Sequence, residues 1–100
     1  MNPLRGEAAL RLGGVELTLR PSFEALVAVE AELGPLFALV ERAGEGRLAL
    51  SEMAALFWHC LAERPEGLTR DGFGQALVEG GLAAAMPALR QVLGQVAMGR

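Results

Sequence analysis

Trp58, His59 and Cys60 are the only tryptophan, histidine and cysteine of the chain, and they stand consecutively in the stretch ALFWHCLAER. A thiol beside an imidazole is the raw material of nucleophilic catalysis. A working dyad needs the ring within hydrogen-bond reach of the sulfur and a third group to orient the base. Here the stretch reads as helix, and adjacent helical positions point about 100° apart. His59 and Cys60 therefore diverge, and there is no second imidazole to serve in their place. One His with one Cys falls short of the ligands of a usual zinc site. No acidic loop has the alternating spacing that a hard cation needs. AGEGR and RDGFGQ contain Gly-x-Gly, yet neither follows a strand or carries Gly-Lys-Ser/Thr. The expectation is a non-enzymatic protein with no catalytic set, no metal and no cofactor.

The bland readings of the triplet are packing. Met53, Phe57, Cys60 and Arg64 recur on one helical face, widened by Leu56 and Leu61, so Cys60 is expected in the core as a small apolar residue. Trp58 and His59 share the neighbouring face with Ala55 and Ala62. They are expected to be half-exposed, either as amphipathic packing or as part of an interface.

The elements that hold these residues begin with EAALRLGGVELTLR. Gly13-Gly14 between Leu12 and Val15 suits a two-residue hairpin turn. Pairing outward sets Leu12 against Val15, Leu10 against Leu17 and Ala8 against Leu19, all six on one face. The other face pairs Arg11 with Glu16, Ala9 with Thr18 and Glu7 with Arg20, and it is expected to be solvated together with Arg5. Shifting the register by one residue would spoil both faces.

Ser22 is a natural cap for a first helix whose stripe is Phe23, Leu26, Val27, Val29 and Leu33, stopped by Gly34-Pro35. Its Glu24, Glu30 and Glu32 read as the wet side. A second short helix covers 36–43, with Leu36, Leu39 and Val40 apolar. Ser51 is expected to cap the third helix, which Pro65 closes. Thr69 caps a fourth through about Glu79, with Phe73, Ala76 and Leu77 inward. After Gly80-Gly81, Leu82, Met86, Leu89, Leu93 and Val96 form a last seam, in which Pro87 marks a kink or a start. A lone hairpin is marginal in water, so its apolar face must lie on the helices. The expected fold is α+β: an N-terminal two-stranded β-hairpin (7–20) followed by four or five short α-helices (22–98), a helix-dominated single domain over 1–100.

Composition bounds the class. Among 100 residues, 52% are apolar and 21% charged, which excludes disorder. All nine basic residues are Arg, with no Lys, Ile or Tyr, a pattern that fits a GC-rich coding sequence and gives Arg no special role. The net charge of −3 and the scattered arginines exclude the basic stripe of a nucleic-acid binder. One cysteine fits a reducing compartment. MNPLRGEAAL is not a signal peptide, and Arg90 interrupts the apolar run from Gly80 to Gly99, so no membrane span is expected. The expected location is the bacterial cytoplasm.

That C-terminal run is apolar along the seam and only weakly polar opposite it, at Ala84, Ala88, Gln91, Gln95 and Met98. Poor polar contrast is common in helices covered on both sides. Internal packing and a partner surface both stay open, and the partner candidates are Met86, Leu89, Leu93 and Val96, with Trp58 from the third helix.

RGEAALRLGGVELTLRPSFEALVAVEAELG, residues 5–34, resembles the opening of the gene transfer agent tail protein family. The carrying features are Arg5-Gly6-Glu7 before the hairpin, LRPSFEAL over 19–26, and Glu30 with Leu33-Gly34. GRLALSEMAALFWHCL and VEGGLAAAMPALRQVL resemble the family's third helix and its ending, so the likeness covers most of the chain. The family is grouped with phage tail assembly chaperones and is also described as a tail tube component. The resemblance implies a chaperone that binds the tape-measure protein during tail morphogenesis, with other tail proteins as partners and self-association left open. It brings no catalytic residues. A structural tube component is the alternative, and a small regulatory or adaptor domain unrelated to tails is the rival from another class.

Overall fold

The computed structural model describes residues 7–99, so Arg5 and Gly6 lie outside the described residues. Strands β1 (Ala8–Leu12) and β2 (Val15–Leu19) pair antiparallel with Ala8 opposite Leu19, Leu10 opposite Leu17 and Leu12 opposite Val15. Gly13 and Gly14 both take positive φ, 57° and 82°, as a type I′ turn requires. Five helices follow: α1 (Phe23–Leu33), α2 (Leu36–Gly44), α3 (Leu50–Cys60), α4 (Arg70–Gly80) and α5 (Leu82–Met98). The fold is α+β, a hairpin followed by five helices.

Alternation places the hairpin's apolar face on the helices. Ala8, Leu10, Leu12, Leu17 and Leu19 are buried with Val29, Leu39, Phe57, Phe73, Leu77 and Val92. Val15 shares that face but stays 53% exposed, although its cross-strand partner Leu12 is buried close to the end of α4. Glu7 departs the other way. It was expected on the wet face, yet only 4% of it is exposed. Its carboxylate accepts from Arg20 Nε at 2.6 Å, and its backbone carbonyl accepts from Gln91 Nε2 at 3.1 Å. α5 lies alongside this end of β1 and closes over it.

The third helix is shorter than its sequence promises. Rather than running to Pro65 it ends at Cys60, because the next residues leave the helix to pair with β2. Leu61 bridges Leu19 antiparallel, Arg20 N–H donates to the Cys60 carbonyl at 2.6 Å, and Ala62 N–H donates to the Thr18 carbonyl at 2.9 Å. A fragment of third strand thus covers part of an edge that a two-stranded sheet would leave bare. Arg64, expected inward, is exposed as a result. Its guanidinium lies 4.3 Å from the centre of the Trp58 ring and donates to the Trp58 carbonyl at 3.1 Å.

Capping follows the expected chemistry at two helices and departs from it at a third. Ser22 Oγ accepts from Ala25 N–H at 3.2 Å, and Thr69 Oγ1 accepts from Gly72 N–H at 3.0 Å. Ser51, by contrast, sits inside α3. There Glu52 turns back to accept the Ala49 N–H at 3.0 Å, half of a capping box with no hydroxyl at its other end. Arg42 of α2 donates to both oxygens of Glu52, at 2.8 and 2.7 Å, fixing the start of α3 to α2. That fork and the Ala49 bond hold the Glu52 carboxyl low, at about 2.

Candidate functional site

Cys60 is 1% exposed, and burial away from water pushes its thiol up to about 12. At neutral pH the reactive thiolate is therefore scarce. Native protein is expected to react with iodoacetamide far more slowly than urea-unfolded protein; equal rates would contradict the burial. His59 faces away from the sulfur, toward Glu32, with Nε2 2.9 Å from Oε1. Because the partner is a carboxylate, Nε2 carries the hydrogen in this contact. The other Glu32 oxygen accepts from Arg70. Arg70 foremost, then His59, lower the Glu32 carboxyl to about 2. Glu32 is thus no mere solvated residue: one carboxylate joins α1, α3 and α4. Among the described residues no three His, Cys, Asp or Glu gather as a metal-holding group.

The sequence-predicted contact residues divide by depth. Trp58 is half-buried, with its ring 5.9 Å from that of Phe73 and tilted by 54°. Leu89 belongs to the core, whereas Met86, Leu93 and Val96 are partly buried and packed against it. The buried stripe of α5 is Ala85, Ala88, Leu89 and Val92, rotated to one side of the expected seam but sharing Leu89 with it. Ala88, assigned to the weakly polar side, is inside. α5 packs on β1, and the small Ala85 and Ala88 join the core on that helix while the larger Met86 is partly buried and Leu82 is exposed. The helix also runs unbroken through Pro87. The carbonyl that loses its donor there belongs to Ala83, an exposed residue that water can reach. No described helix is long and apolar enough to cross a membrane.

The apolar residues that stay outside are mostly elsewhere. Phe23 and Phe37 are each 84% exposed, and Val27 is about half exposed. Phe23, Val27 and Ala31 form an exposed ridge on α1 at intervals of four. Beside it, Leu26, Leu36, Phe37, Val40 and Val96, with Glu30 as the one charged residue, line a groove between α1, α2 and the end of α5. The expected inward stripe of α1 therefore splits, with Val29 inside and Phe23 and Val27 outside. Five apolar positions span more of the helix than one contact face can hide, and that excess width was the readable signal. Phe37 carried no such signal. A second groove between α3 and α4 is edged by the exposed Leu50 and Val78 and floored by Ala54 and Gly74.

The described surface thus presents exposed apolar side chains beside two grooves. The profile of a family described as "Phage tail tube protein, GTA-gp10" matches residues 5–99. The chain belongs to this family. No curated protein and no solved structure matches it. Membership in the tail tube family, which is structural, sets aside an adaptor domain unrelated to tails and makes other tail proteins the natural partners. In this tail tube family member, the two phenylalanines that stay exposed lie on α1 and α2, and Val96 links the groove beside them to the expected residues of α5.

Proposed function

We propose that the chain is a non-enzymatic tail assembly chaperone that holds the tape-measure protein soluble during tail morphogenesis in the producing cell. The observation that carries this reading is exposed aromatic and aliphatic surface on a helix-dominated fold whose sheet has two strands. Such surface is suited to grasping apolar helical segments. Met86, Leu93, Val96 and Trp58 are contact candidates on this reading, with Leu89 behind them as support. The second reading, a tube subunit, is favoured by the family's own description. Against it stands the scarcity of strand, since a β-lined ring needs many alternating segments.

Two measurements separate them. Co-expression with the tape-measure protein is expected to raise the soluble fraction of that protein, and purified particles are expected to lack this chain. Many copies per particle, with no effect on tape-measure solubility, would refute the chaperone and favour the tube.

A further inference from the structure

We propose that the α1 ridge and the groove beside α2 dock an amphipathic helix of another protein, apolar on its docking side and flanked there by Lys or Arg. The proposal rests on the assembly reading and deepens it by naming the partner's chemistry.

The apolar part is two phenylalanines, Phe23 and Phe37, each 84% exposed, with the groove at Leu26, Val40 and Val96 open between α1, α2 and α5. Solvated aromatic rings at helix ends are costly to leave bare and are the usual anchors of helix-in-groove binding. The rim supplies the sign of the partner. Glu24 borders the ridge on one side, Glu30 lies on the other between the ridge and the groove that it helps to line, and Glu41 follows Phe37 by one turn of α2. Glu30 accepts the Leu36 N–H at 3.0 Å, and among the described residues Glu24 and Glu41 join no ion pair. α1 carries no basic residue, and the one arginine of α2, Arg42, is engaged by Glu52. Arg20 and Arg64 share a hollow with Glu24 but donate to Glu7 and to the Trp58 carbonyl. The end of α5 after Arg90 adds no charge through Met98.

An apolar face with an acidic border selects among occupants. A second copy docked by two-fold symmetry would set one acidic rim against the other, which like charges oppose. An anionic membrane surface would repel the same rim. A helix with basic flanks meets both the apolar ridge and its border.

The test uses two labelled helical peptides of about five turns, identical along a Leu stripe and flanked by Lys in one and Glu in the other. Fluorescence anisotropy against the whole protein at low salt is expected to show the Lys-flanked peptide binding about tenfold or more tightly, with the gap shrinking as salt rises. Phe37→Ser is expected to weaken that binding by about tenfold with the helical circular dichroism unchanged. If that variant loses helicity, Glu24→Arg with Glu41→Arg decides, since it should invert the peptide preference. Equal affinity for the two peptides overturns the proposal, as does a preference untouched by these substitutions. So does dimerisation through Phe23 and Phe37, or binding of phosphatidylserine vesicles in place of the peptide. The peptides are defined by chemistry alone, so failure here leaves the solubility and particle-composition results standing, and the reverse.

Discussion

Leu17→Asp is expected to leave the protein largely unfolded at room temperature, while Thr18→Asp, one residue away, keeps it folded. Leu17 is 7% exposed and faces Leu10 across the hairpin, inside the same cluster as Leu19 and Val92. A carboxylate there loses its hydration and finds apolar neighbours, at a cost of several kcal/mol. The whole stability of a domain this size is roughly 5–15 kcal/mol, so one such charge consumes much of it. Thr18 points to the other face, which is partly open, and an Asp there keeps its water. Thermal melts followed by circular dichroism should therefore separate the two by more than about 10 °C, at about 4–8 °C per kcal/mol. Coincident melts would mean that the sheet presents its other face to the helices. Val15→Asp is a useful third variant, because it shares the face of Leu17 but not its burial.

The same comparison can be made with one chemistry at two depths. Phe57→Ala removes a ring that is wholly buried in α3, at an expected cost of about 3–5 kcal/mol from lost transfer energy and the cavity left behind. Phe37→Ala removes a ring in water, and stability should move by no more than about 0.5 kcal/mol. Urea midpoints at equal slope measure both. A Phe37→Ala shift as large as that of Phe57→Ala would show that Phe37 is covered, and the docking surface would lose its main anchor.

The hairpin was legible in the sequence because three independent signals agreed: the Gly-Gly turn, the alternation and the cross-strand charges. The observed register repeats that reading pair by pair, and Arg11 reaches Glu16 at 3.3 Å as expected. Helix existence was legible too, since Gly and Pro punctuate the chain. The inward faces of α3 and α4 were legible as well, with Met53, Leu56, Phe57, Cys60, Phe73 and Leu77 buried as expected. What could not be read was how α1 and α5 turn about their own axes. In α5 the small Ala85 and Ala88 are buried, and a hydrophobic pattern gives alanine little weight beside Met86. The end of α3 was misjudged for a similar reason. Pro65 is the strongest local breaker, yet the contact that ends the helix is made with β2, far away in sequence. The candidate surface suffered most. Exposure of Phe23 and Phe37 is a property of what fails to cover them, and periodicity records only what repeats.

The strand fragment after α3 also sets a timetable. A hairpin closes in about 1–10 μs, but the residue that bridges Leu19 lies about forty residues further along the chain. At a synthesis rate of about 5–20 residues per second, the ribosome delivers Leu61 some seconds after β2 has emerged. During that interval the hairpin opens and closes many times with its outer edge bare and its leucines unmatched. The middle of the chain covers only that edge, and the leucines wait for α4 and α5 at its end, so any factor that guards the nascent protein has those seconds in which to act.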